Sequence, residues 1–323
     1  MFHNKTLVTA FASLAVLFGH AAHAEFPDRP IEIVVPFSAG GGTDKISRII
    51  AEDMSKTLKQ SVVVVNKPGA GTIIGTSDVA RSKPDGYTLL MATFANAVNP
   101  SLNKDLPYSP DKDFTPVGLV GTSPNILVVS SKSPYKSVND IISFAKANPG
   151  KLTYGSYGAG TSAHLTAALF ENLAEIKMTH VPYKGAAPAL TDLLGERIDM
   201  IFSAAGVAPQ VNAGKLRAIA VTSADRSASF PDIPTIAASG VPAYDAESWY
   251  GLFAPAGTPA EVVQKLNAAL NDALKTDAFK EKIAQPEGLD ARPGEPADLG
   301  RYYVKQENLW RKVVQDANIT VGG

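Results

Sequence analysis

The sequence predicts an α/β protein of two lobes, each a mixed, mainly parallel sheet flanked by helices, with two crossover strands as the hinge. Three observations predict it. A β-branched run, a glycine loop and a helix with one apolar face follow one another from Ile31 to Met54. The same layout returns from Leu152 to Leu173. Proline-rich stretches break the β-α order at 93–116 and 227–248. A chain of 323 residues is also longer than one hydrophobic core usually serves. The expected division is residues 1–24 as a signal, 25–122 with 253–323 as the first lobe, and 123–252 as the second.

Lys5, the apolar stretch Leu7 to Gly19, and Ala22-His23-Ala24 before Glu25 read as a secretory signal with its cleavage site. The formal net charge of −1 and the lack of any polybasic run give no purchase to nucleic acid or an anionic membrane. With no cysteine, the chain has neither disulfides nor a lipid-bearing residue after the signal, so a free periplasmic protein is expected, acting as a monomer. No later apolar run approaches the roughly 18 residues that span a bilayer, so no membrane insertion is expected.

Ile31 to Val35 reads as a buried strand stopped by Pro36. Phe37 to Gly42 then forms a glycine loop. Thr43 is expected to cap a helix whose Ile46, Ile49, Ile50, Met54 and Leu58 share one face. Ser61 to Val65 is a second strand, Asn66 to Thr72 a turn of φ-permissive residues, Thr72 to Arg81 a helix, and Tyr87 to Ala92 a third strand. Prolines 100, 107, 110 and 116 predict irregular chain over 93–116.

Extended pieces at Val117 to Val120 and Ile126 to Ser130 make the first crossing, and Ser137 with Asp140 opens a helix. In the second lobe, strands are expected at Leu152 to Tyr154, Met178 to Val181, Ile198 to Phe202 and Arg217 to Thr222, with helices at 186–194 and 208–213 ended by Gly195 and Gly214. Trp249 to Ala254 carries the chain back, and Thr258-Pro259-Ala260-Glu261 opens a helix.

The two loops carry the chemistry. A strand, a glycine loop and a helix N-terminus leave unpaired amides at the positive end of the helix dipole, which can hold a carboxylate or phosphate without a basic side chain. Nucleotide fingerprints fail on spacing: Lys45 stands where G-x-G-x-x-G needs its third glycine, and no G-K-[ST] closes the loop. A packing turn that binds nothing is the alternative for either loop alone. Together, in different lobes, they predict a clamp on one small anion at the carboxyl ends of two sheets. The candidate ligand-binding residues are Phe37, Ser38, Ala39, Gly40, Gly41 and Thr43 from the first loop. The second contributes Ser156, Tyr157, Gly158, Gly160, Thr161, Ser162 and His164, joined by the Tyr183-Lys184 turn and by Ser203 and Ala204.

Catalysis finds less support. Tyr154 occupies the place where a nucleophile elbow around Ser156 needs glycine, and Ser162 and His164 are two apart on one helix and do not face each other. No metal site and no cofactor are expected, since His164 and His180 are the only histidines after the signal and no carboxylate motif supplements them.

Eight segments, among them RPIEIVVPFSAGGGTD (Arg29 to Asp44), VVVNKPGAGTIIG (Val63 to Gly75), YGSYGAGTSAHL (Tyr154 to Leu165), HVPYKGAAPAL (His180 to Leu190) and GLFAPAGTP (Gly251 to Pro259), run in order through nearly all of the chain after the signal. In them the chain resembles the extracytoplasmic solute receptors of tripartite tricarboxylate transporters, also called the Bug family. The resemblance implies a two-lobe periplasmic binding protein, type II-like, that closes on a small carboxylated solute and delivers it to membrane permease subunits. Its carboxylate-holding loops correspond to Phe37 to Gly42 and Ser156 to His164. Two departures stand out: Thr72 occupies a position where the family usually has glycine, and Ala238 replaces a common glutamate. Residues 93–96 and 203–207 follow no family motif, and their small or apolar side chains at strand ends are candidates for setting which solute fits. A receptor that presents its ligand to a signalling protein, or an α/β hydrolase, are the alternatives.

Overall fold

The computed structural model describes residues 26–183 and 185–319. The expected signal at 1–24 and Lys184 lie outside the described residues.

Strand β1 (Ile31–Val35) is fully buried but for Glu32, as its β-branched run requires. Helix α1 (Gly42–Leu58) covers it with Ile46, Ile50, Met54 and Leu58 turned inward. Strand β2 (Val62–Asn66), helix α2 (Ile73–Ala80) and strand β3 (Thr88–Thr93) complete the expected β-α-β-α-β unit, with β1 parallel to both β2 and β3. Strand β4 (Phe114–Pro124) runs, after the single residue Asn125, into β5 (Ile126–Ser130). This is the outward crossing. The return is β10 (Glu247–Pro255), which lies antiparallel beside β4, with Glu247 opposite Pro124.

The first sheet has the order β11-β4-β10-β3-β1-β2, its edge strand β11 being Asp290–Ala291. The second is built from β5 with β6 (Thr153–Ser156), β7 (Thr179–Pro182), β8 (Met200–Ser203) and β9 (Leu216–Val221), in the order β7-β6-β8-β5-β9. Both sheets are mixed. Parallel pairing joins β2-β1-β3 in one and β7-β6-β8 in the other, and the remaining pairs are antiparallel. The antiparallel share exceeds what the β-α-β order alone predicts, because one crossover strand leaves the first sheet and the other returns to it in the opposite sense.

Helices α4 (Val138–Ala147), α5 (Ser162–Ala174), α6 (Ala186–Leu194) and α7 (Ala208–Asn212) belong to the second sheet. Ser137 caps α4 as expected, accepting the Asp140 amide at 3.1 Å. Gly195 is not left-handed (φ −84°); that conformation falls to Glu196. Helix α8 (Ala260–Ala273) starts one residue later than expected, with Pro259 as N-cap. The short helices α9 (Asp277–Phe279) and α10 (Gln285–Glu287) follow it. The last helix, α11 (Pro296–Asp316), contributes Trp310, Val313 and Val314 to an apolar cluster that also takes in Phe94 of the first sheet's layer and Phe170 and Phe202 of the second.

One expectation fails. The stretch 93–116 is not irregular throughout: α3 (Phe94–Leu102) forms with Pro100 inside it. The Asn96 side chain accepts the Thr93 amide at 2.9 Å and fixes the helix start. Pro100 has no N–H to give the carbonyl of Asn96 one turn back, and the Tyr303 hydroxyl donates to that carbonyl instead, at 3.1 Å. Among the described residues no helix is long and apolar enough to cross a membrane.

Candidate functional site

The first glycine loop begins where Pro36 ends β1. Gly40 has φ +87°, with open space where a Cβ would sit, so the backbone conformation and not crowding calls for glycine. Gly41, not Thr43, is the N-cap of α1, and it makes no side-chain cap. The third helical residue does the stapling: Asp44 Oδ2 accepts the Gly40 amide at 2.9 Å and Arg48 Nε at 3.0 Å, while Oδ1 accepts Asn66 Nδ2 at 2.9 Å. The Arg48 hydrogen bond, against the opposing cost of burial and with help from Gly40 and Asn66, holds the Asp44 carboxyl down at about 2. Asn66 Nδ2 also donates to the Phe37 carbonyl at 3.1 Å, tying the loop to β2.

The second loop turns at Gly158 (φ +128°) and Gly160 (φ +76°). Thr161 takes the N-cap position of α5, but its hydroxyl donates back to the Gly158 carbonyl at 2.7 Å and does not cap. His164, third in the helix, accepts the Gly160 amide on Nδ1 at 3.1 Å. Its ring stacks on His180 at 3.9 Å between centroids, and His180 stacks in turn on Tyr154 at 5.0 Å. Burial first, then the neighbouring His180, lowers His164 to about 4, and burial lowers His180 too, so both imidazoles are neutral at neutral pH. The fully buried Ser156 hydroxyl lies 2.6 Å from His180 Nε2 and receives the Gly158 amide at 3.2 Å.

A cavity of about 590 Å³ opens between the lobes. It brings together Phe37 and Thr43 of the first loop with Gly160, Thr161 and Ser162 of the second, and among the described residues none that lines it is charged. Thus the two helix N-termini predicted from widely separated stretches face one space. The other candidates stand elsewhere. Ser38, Ala39, Gly40 and Gly41 are exposed in the first loop outside the lining. Ser156, Gly158 and His164 form the support behind the second loop. The Tyr157 hydroxyl bonds that of Ser203, Ala204 is exposed outside the lining, and Tyr183 donates to Asp192 Oδ2 at 2.8 Å, away from the cavity.

Three further walls went unassigned in the sequence: Ala70 to Thr72, the face of α3 that carries Val98 and Asn99, and Ser248 to Tyr250 on the returning crossover strand. The first had a signal, the cluster of glycines before Thr72. The second is hidden in the sequence by Pro100, although of the candidate stretch 93–96, Thr93, Phe94 and Ala95 do line the cavity. Among the described residues no group of three or more His, Asp or Glu is placed to hold a metal ion.

Two α/β lobes around a cleft set with helix N-termini make a solute receptor of the periplasmic binding class. Residues 46–319 match the family described as tripartite tricarboxylate transporter family receptor, and the chain belongs to that family. It is 40% identical, over 90% of this chain and 86% of the other, to the UPF0065 protein in the tcbD-tcbE intergenic region of a Pseudomonas species. The solved structure of R. palustris Rpa4515 with adipate is 37% identical, with a TM-score of 0.77 over 92% of this chain and 99% of that one. MatC from Rhodopseudomonas palustris with bound malate is 33% identical, with a TM-score of 0.73 over 90% of this chain and all (100%) of the other.

Proposed function

We propose that this protein captures a small carboxylated organic acid between its lobes in the periplasm and hands it to the membrane permease subunits of a tripartite transporter. The observation that carries this reading is the cavity on which α1 and α5 both open their N-termini, since first-turn amides and hydroxyls can hold a carboxylate without a basic side chain. The adipate and malate held by relatives support an acid as the solute. Thr43, Gly160, Thr161 and Ser162 are the contacts proposed for its carboxylate, with Phe37 against its body. The moving parts are residues 25–122 with 253–323 and residues 123–252, turning about β4, Asn125 and β10. The exported form begins at Glu25, carries no lipid and acts as a monomer.

No catalysis is assigned. Ser156 and His180 are as close as a nucleophile and its base, but Ser156 is fully buried and its oxygen is engaged by the Gly158 amide as well. A melting screen against small organic acids tests the reading, because a ligand at a hundredfold over its dissociation constant adds about 2.7 kcal/mol. Small-angle scattering with the best acid should show a smaller radius of gyration. Failure of every acid to raise the melting temperature would overturn the proposal.

A further inference from the structure

Ala70, Gly71 and Thr72 have φ of +46°, +60° and +84°, three successive residues in the left-handed region. Glycine adopts this conformation freely, whereas a β-branched residue there is an outlier that persists only where its surroundings impose it. Here they do. Asn99 of α3 donates through Nδ2 both to the Gly71 carbonyl at 2.8 Å and to Thr72 Oγ1 at 3.0 Å, and the Thr72 amide closes onto Gly69 O at 3.1 Å.

The Thr72 oxygen is therefore occupied as an acceptor, and its hydroxyl hydrogen meets no acceptor among the described residues. The residue is only 3% exposed and forms part of the cavity wall beside Asn99. A buried donor with nothing to donate to is a cost that a bound acceptor removes. We infer that Thr72 is the specificity-determining residue of this cleft: its hydroxyl selects acids that carry a second acceptor oxygen, and its bulk limits how long they can be. A glycine at this position would leave the wall deeper and without a donor, so this chain accepts backbone strain and gains a polar stop. The inference rests on the cavity being the solute site.

The test uses the exported chain, with straight-chain dicarboxylates from succinate to suberate and the matching monocarboxylates as probes. Calorimetric titration and melting are run on wild type, Thr72→Ser and Thr72→Gly. Wild type should prefer the shorter dicarboxylates over monocarboxylates of equal length. Thr72→Ser, which keeps the hydroxyl, should retain that ranking. Thr72→Gly should melt no lower than wild type, bind the preferred acid about tenfold more weakly, the worth of one hydrogen bond, and move its preference to longer acids. An unchanged ranking in Thr72→Gly would overturn the role of Thr72 while leaving the acid site intact. A sharply lower melting temperature for that variant would also overturn it, by making the hydroxyl a structural brace. If no probe binds wild type, the solute reading falls and takes this inference with it.

Discussion

The two glycine loops share one construction and differ in one atom type. In each, the third residue of the helix accepts the amide of a left-handed glycine four places earlier: Asp44 from Gly40 at 2.9 Å, His164 from Gly160 at 3.1 Å. In the first loop the acceptor is an ionised carboxylate bonded by Arg48. In the second it is a neutral imidazole stacked on another. The loop shape thus depends on having an acceptor at that place and not on its charge. The electrostatics differ, however. The first turn of α1 already carries a negative group of its own, whereas that of α5 holds no acidic residue.

The largest effect that would sharpen this contrast is expected from Ser162→Asp, which gives α5 the charge that α1 already has. Two like charges about 4 Å apart at an effective dielectric of about 20 repel by about 4 kcal/mol, about a thousandfold in affinity for the acid found by screening. Folding should be spared, since an acidic residue in the first turn is neutral or mildly stabilising. Undiminished affinity in a normally melting variant would remove α5 as the anion seat.

Next come the two acceptors, which should titrate in different ranges. His164 falls from 6.5 to about 4 in the fold, so the unfolded chain takes up the proton first as the pH drops; the contribution is complete above pH 6.5 and is lost on descending through about 4. It amounts to on the order of 3 kcal/mol. Asp44 falls from 3.8 to about 2, so its contribution, on the order of 2 kcal/mol, is complete above pH 3.8 and lost as the pH falls through about 2. Melting curves from pH 8 to pH 2 should therefore show a shallower fall for His164→Gln in the upper range only, and for Asp44→Asn in the lower range only. His180 keeps part of the upper slope, because burial lowers it as well. Coincident profiles for the two variants would break the comparison.

The smallest effect probes the shared part. Gly40→Ala and Gly160→Ala each place a Cβ on a left-handed residue, at φ +87° and +76°, and each should cost about 1 kcal/mol in denaturant unfolding. Markedly unequal costs would mean that the loops are not built alike.

Local signals determined much of this protein. The β-branched run, its proline stop, the glycines and the helical spacing of Ile46, Ile50, Met54 and Leu58 sit within one short stretch, so β1, the first loop and α1 could be read there, and Leu152 to Leu173 repeated the lesson for β6 and α5. Even the meeting of the two loops on one cavity was implied, since both follow the carboxyl ends of strands. Only the tertiary structure decided what depends on partners far along the chain. Pro100 announced a break, and α3 forms because Tyr303, 207 positions away, satisfies the Asn96 carbonyl. Ser156 looked like a ligand contact until His180, 24 positions on, claimed its hydroxyl. Thr72 does stand at the start of α2 as its N-cap, but its left-handed place in the cavity wall is held by Asn99, 27 positions on. Hydrogen-bond satisfaction is settled by whichever group arrives in space, and a sequence does not display that neighbour.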